Sequence, residues 1–138
     1  MAGMFRHAPG LTILLLLCAA QPLRAQTAVA AAAETPDARR ARLLYIQCRA
    51  CHELKAGMPH KVGPNLHGVI GRKAGSFADF SYSAAMRAAN LVWDAATLDK
   101  WIERPSTVVP GNSMAFAGVA NPKDRALLIA YLTAESAP

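Results

Sequence analysis

The stretch KAGMPHKVGPNLHGVIGRKAGSFADF, Lys55 to Phe80, constrains the fold more than any other part of the chain. Gly57, Pro59, Gly63, Pro64, Gly68, Gly71 and Gly75 punctuate it, and neither a period-two alternation nor an apolar spacing near 3.6 is sustained across it. It reads as one long loop, and a loop of that length is unusual inside a compact domain unless it wraps something or does something. Helical patterns flank it. DARRARLLYI predicts a helix capped by Asp37, with Leu43, Leu44 and Ile46 turned inward, running straight into Cys48. SYSAAMRAAN predicts a short helix. DAATLDKWIERP predicts another, capped by Asp94, with Leu98, Trp101 and Ile102 on one face and a stop before Pro105. The last opens with Asn121 as cap and Pro122 in its first turn, and carries Leu127, Leu128, Tyr131 and Leu132. No strand signal of comparable strength and no internal repeat competes. The expected class is all-α and loop-rich, folded around a central object.

The first residues follow a different pattern. Arg6 and His7 precede the apolar run LTILLLLCAA, and PLRAQ offers a cleavage point after Ala25, so residues 1–25 read as a signal peptide. The apolar run covers about half of the ~20 residues a spanning helix needs, which favours export with cleavage over a retained membrane anchor. Residues 26–36, rich in alanine, read as a flexible leader, and 37–138 as one small domain. Of the three cysteines, Cys18 lies in the signal stretch. Cys48 and Cys51 are left in a compartment where unprotected thiol pairs oxidise, so two thiols there need a purpose. The 15 basic residues exceed the 9 acidic ones only mildly, and less so without Arg6 and Arg24. No basic tract suggests nucleic acid, whereas an acidic protein partner is compatible with a surplus of this size.

Cys48-Arg49-Ala50-Cys51-His52 puts two thiols and an imidazole within one helical turn. Three chemistries use such a set. A structural zinc site needs four ligands, and His60 and His67 could complete it, though the spacing is not a common finger and His52 would be left unexplained. A thioredoxin-like redox pair wants a strand before it and a βα sandwich around it, which this chain does not offer. Covalent haem uses all three residues: the thiols add to the two vinyl groups and the next imidazole reaches the iron. A haem also supplies the central object that the loop demands. What the iron then does depends on its other face. A side chain there limits the haem to electron transfer, while an open position allows ligand binding or peroxidase chemistry. The candidates for that position are Met58, Met86, Met114, His60 and His67.

CRACH, KVGPNLHGVIGRKAG, FSYS, LVW, PGNSMAFAG and DRALLIAYL, in this order, resemble the class I cytochromes c of the mitochondrial and bacterial type, over roughly Asp37 to Ala134. The resemblance implies a small, all-α, loop-rich cytochrome c fold wrapped around one haem c, attached through Cys48 and Cys51 and ligated by His52 and Met114. It implies that the Pro64 carbonyl accepts a hydrogen bond from the other ring nitrogen of His52, and that Arg72, Tyr82 and Trp93 hold a buried haem propionate. His60 and His67 match loop histidines. The implied function is a monohaem electron carrier of relatively high potential, not an enzyme. The expected location is the periplasm and the expected state a monomer. Its partners would be redox proteins: a respiratory or photosynthetic complex, or a periplasmic dehydrogenase. A haem enzyme or sensor with an open sixth position is the alternative; a two-haem peroxidase is disfavoured by the single Cys-x-x-Cys-His.

Several positions depart from that pattern. Arg40 stands where the family usually has a glycine that lets the first helix approach the last, and Leu44 where a phenylalanine is usual, with Tyr45 offered as a substitute. Trp101 replaces a common tyrosine, Asn112 a threonine and Met86 an asparagine, which predicts a thinner polar network on the methionine side. Gln47, Ser106, Thr107, Ser113 and Ala120 stand where mitochondrial members carry lysines at the haem edge; Arg42 and Lys61 stay basic. Docking is expected to depend little on charge.

Overall fold

The computed structural model describes residues 34–138; the signal-peptide assignment to 1–25 and most of the leader assigned to 26–36 lie outside the described residues. Five helices follow in order: α1 (Pro36–Arg49), α2 (Ala84–Ala88), α3 (Ala95–Glu103), α4 (Pro105–Val108) and α5 (Pro122–Glu135). Helix α5 packs against both α1 and α3, and α3 against α4. The one β feature among the described residues is an isolated antiparallel bridge between Lys73 and Val92. None of the described helices is long and apolar enough to cross a membrane.

Helix α1 starts earlier than its sequence suggests. The Thr35 hydroxyl accepts a hydrogen bond from the Ala38 amide at 3.1 Å, and Pro36, with no N–H to leave unpaired, takes the first helical position. Asp37 is therefore a first-turn acid and not the cap. The inward face also differs. Ala41 and Tyr45 are buried and Leu44 and Cys48 partly so, which is the i, i+3, i+4, i+7 stripe of a helix. Leu43 and Ile46 flank that stripe and are 48% and 57% exposed. The departures expected at Arg40 and Leu44 move one residue along. Small Ala41 and aromatic Tyr45 face α5, where the Tyr45 and Tyr131 rings lie 5.2 Å apart, and Arg40 turns out to pair with both carboxylate oxygens of Asp124, at 3.0 and 2.6 Å.

The remaining caps follow their sequence signals. Asp94 accepts from the Thr97 amide at 2.7 Å, and Asn121 from the Lys123 and Asp124 amides. Ser83 caps α2, which is shorter than SYSAAMRAAN suggests. Leu98, Trp101 and Ile102 bury one side of α3, and Leu128, Ile129 and Leu132 the facing side of α5, with Leu128 wholly enclosed. Helix α4 has no counterpart in the sequence reading. Pro105 ends α3 and also opens a new turn, because the residue type that breaks one helix is favoured at the start of the next.

The long loop is ordered by cross-links to these helices. Asn65 is buried and donates to the carbonyls of Lys55 and Met58 while accepting from the His67 amide. Gly68 donates to the Ser136 carbonyl past the end of α5, and Ala74 to Leu91. These bonds fold the segment back on itself and make it a wall.

Candidate cofactor site

That wall, α1, α3, α5 and the segment after α4 enclose a cleft of about 1360 Å³, its open mouth included. Cys48, Cys51, His52, Pro64, Arg72, Tyr82, Trp93 and Met114, the residues expected to bind the cofactor, all line it. Residues as far apart as Cys48 and Met114 are thus brought to one site.

The cysteine side is built by helix geometry. Cys48 lies in the last turn of α1, and its carbonyl accepts from the amides of Cys51 and His52 at 3.0 and 2.9 Å, continuing the turn through the motif. Cys48 and Cys51 form no disulfide. Burial pushes the Cys48 thiol up to about 11, and the described residues form no sheet of the kind that a thioredoxin-like pair sits on. This argues against the redox-pair reading.

His52 is 8% exposed and its Nδ1 lies 2.7 Å from the Pro64 carbonyl. A carbonyl only accepts, so Nδ1 carries the proton and Nε2 is the lone-pair nitrogen left for the cleft. Burial also holds the imidazole below its ordinary pKa, which keeps it neutral. Gly63 makes the approach possible: a Cβ there would lie 2.7 Å from both ring nitrogens. Sequence reasoning passed over Gly63 as one glycine among many. Its position directly before Pro64, whose carbonyl orients the ring, was the available signal.

Arg72 donates to the carbonyls of His67 and Asn65 at 2.8 and 3.0 Å, and its guanidinium stacks 4.3 Å above the Phe77 ring. Burial pulls its pKa below the ordinary value; a guanidinium does not give up its proton in proteins, so the cleft contains a fixed cation whose remaining N–H groups suit an anion. Tyr82 stacks edge-on to Phe80, and Trp93 on Trp101 at 5.2 Å. Desolvation raises the Tyr82 pKa, so its hydroxyl stays a donor.

His60 and His67 stay out of the cleft lining. His60 is occupied at both nitrogens, accepting from the Asn65 amide at 2.9 Å and meeting Asp79 at 3.2 Å. Among the described residues no group of three or more His, Cys, Asp or Glu side chains could hold a metal ion, which argues against the zinc module. Of the candidate methionines, Met58 is 45% exposed, while Met86 on α2 and Met114 both line the cleft. Arg125, which sequence analysis also passed over, is buried and donates to the carbonyls of Val119 and Ala120 and to Asp99, tying the segment after Met114 to α3 and α5.

A helical domain closed around an apolar cleft, with two cysteines and an oriented imidazole on one wall and a thioether on another, has the donor set of a protein that binds haem covalently. Comparison with known proteins points the same way. The chain is 47% identical over 92 residues to cytochrome c2 of Rhodomicrobium vannielii, covering 67% of this chain and 74% of that protein. It is 44% identical over 104 residues to cytochrome c of Cochliobolus lunatus, covering 75% and 96%. The fold superposes on cytochrome cH from Methylobacterium extorquens with a TM-score of 0.65 at 39% identity, over 71% of this chain and 98% of that one. No family model matches. The chain belongs to the class I cytochrome c family. It is a monohaem c-type cytochrome with covalent haem c, for which Cys48 and Cys51 are the Cys-x-x-Cys pair, and it is an electron carrier, not an enzyme, whose partners are redox proteins.

Proposed function

We propose that His52 and Met114 would be the two protein ligands of the haem iron and that the protein shuttles single electrons between periplasmic or membrane-bound redox proteins as a monomer. The observation that carries the ligand assignment is the Nδ1 bond from His52 to Pro64, which leaves Nε2 alone to face the cleft shared with Met114. Bound haem supplies a one-electron couple. The protein's residues do the rest. Pro64 holds the imidazole in one tautomer, Arg72, Tyr82 and Trp93 would hold a propionate with Arg72 meeting its charge, and the apolar walls of Leu98, Ile102, Leu128 and Leu132 exclude water. A soft thioether suits the reduced state, and a ligand pair held on a fixed frame needs little motion between oxidation states.

The test is the far-red sulfur-to-iron absorption band of the oxidised holoprotein. Met114→Ala is expected to abolish it and Met86→Ala to retain it; the reverse would overturn the assignment. An intact protein with no band and ready carbon monoxide binding would favour the open-site alternative.

Export to the periplasm is supported by the pattern of residues 1–25. The partner, whether a respiratory or photosynthetic complex or a periplasmic dehydrogenase, meets an uncharged rim. Val62 is 83% exposed beside the cleft mouth, and Gln47, Ser113 and Ala115 are exposed around it. The two cations kept near that edge are engaged internally. Lys61 Nζ donates to the Arg49 carbonyl at 2.5 Å with Glu53 at 3.4 Å, and Arg42 pairs with both oxygens of Glu34 at 3.0 Å. Electron transfer to an isolated partner should change less than about threefold as added salt shortens the screening length from ~30 to ~8 Å. A steep fall in rate would overturn the neutral-rim reading.

A further inference from the structure

Met114 lies in a segment with no helix or strand, between the end of α4 and the start of α5. A thioether is a weak, neutral ligand on a flexible stem, so its hold on a metal depends on how well its main chain is placed. Val109, Pro110, Gly111 and Asn112 form a tight turn in which Asn112 N–H donates to the Val109 carbonyl at 3.1 Å, with Gly111 at a φ of 83° that a side chain rarely adopts. The Asn112 side chain then works in both directions. Its Nδ2 donates to the same Val109 carbonyl at 2.8 Å, and its Oδ1 accepts from the Met114 amide at 2.9 Å. The Met114 carbonyl in turn accepts from the Phe116 amide at 3.0 Å. Both backbone groups of Met114 are therefore spoken for, and the chain of bonds ends on Val109, which is buried in the core. The thinner network expected from an asparagine here meets a carboxamide with both halves in use, against main chain.

We infer that Asn112 is a positioning residue for the methionine ligand: its carboxamide clamps the Met114 backbone to the buried end of α4 and thereby sets how readily an external ligand displaces the sulfur. The inference rests on Met114 being an iron ligand. A threonine hydroxyl would have to donate and accept through one oxygen, whereas the carboxamide does so through two separate atoms. Removing the carboxamide frees the Met114 amide and leaves the Val109 carbonyl with one donor fewer, but touches neither the cysteine pair nor His52.

The experiment uses the oxidised holoprotein and imidazole as the competing ligand, following the far-red sulfur-to-iron band. In Asn112→Ala the imidazole concentration that removes half of the band should fall about fivefold to tenfold, the equivalent of one to two net hydrogen bonds. Asn112→Asp, which keeps the acceptor for the Met114 amide and loses the donor, should fall between Ala and the parent. Thr35→Ala removes the α1 cap and should lower the unfolding temperature while leaving the imidazole midpoint unchanged, which separates ligand positioning from general stability. An unchanged midpoint in Asn112→Ala overturns the clamp. If Asn112→Ala fails to fold, Asn112→Asp and the Met114 amide in the parent decide: rapid hydrogen exchange at that amide overturns the inference and strong protection supports it. Absence of the band in the parent overturns the ligand assignment itself, and amide protection at Met114 still reports whether the clamp exists.

Discussion

The two sides of the cleft are held in different ways. On the His52 side, thiols and imidazole share the turn that closes α1, and the partner of the ring, Pro64, is 12 residues away on a wall that Gly63 lets come close. On the Met114 side no regular element carries the proposed thioether ligand. The segment is pinned at one end by Asn112 on Val109 and at the other by Arg125, whose donors reach Val119 and Ala120, and by the Val119 amide on Ile102 of α3. One side is a local structure stiffened by a single close approach. The other is a strap whose rigidity is borrowed from α3 and α5. A segment outside any helix can be kept in place by several ordinary hydrogen bonds, provided each ends on a buried anchor.

The comparison breaks most sharply at Gly63. Gly63→Ala puts a methyl into the His52 ring and should destabilise the holoprotein by about 3 kcal/mol in denaturant unfolding, with faster amide exchange over 48–64 and little change over 112–121. An Ala variant as stable as the parent would mean the ring is not confined by that contact. Arg125→Met should act on the opposite side. With the Val119 and Ala120 carbonyls unpaired, amides over 117–121 should exchange about tenfold faster while 48–64 stays protected; a uniform change across both regions would show that the strap has no separate anchor.

The smallest effect is a pH dependence. Asp94 caps α3 by accepting from the Thr97 amide, and that bond holds its carboxyl below the ordinary 3.8. A depressed value means the stabilisation is fully present above 3.8 and lost as pH falls through the lower folded value. Unfolding at about pH 5 should therefore separate the parent from Asp94→Asn more than unfolding near pH 3 does. Identical pH profiles for the two proteins would exclude Asp94 as the source.

Much of the fold was legible where the signal is local. The caps at Asp94 and Asn121, the inward face of α3, and the helix that ends at the cysteine pair all follow from contiguous residues satisfying their own backbone. Helix α1 was harder, because Leu43, Leu44 and Ile46 are more hydrophobic than Ala41, and hydrophobicity alone does not say which stripe meets α5. Pro105 carried two meanings, and only the stop was read.

By itself the sequence determined the chemistry of the attachment site and the need for something central to the long loop, because the spacing of two thiols and an imidazole on one helical turn survives any arrangement of the rest. Tertiary structure alone decided that Ala41 joins Tyr45 on the buried α1–α5 face, that Gly63 admits the His52 ring, that Arg42 and Lys61 are engaged within the chain, and that Asn112 and Arg125 hold the strap. The physical reason is range. A cap or a Cys-x-x-Cys-His turn is written in neighbouring residues, whereas a close approach, an ion pair or a clamp depends on which surfaces the packed helices bring together.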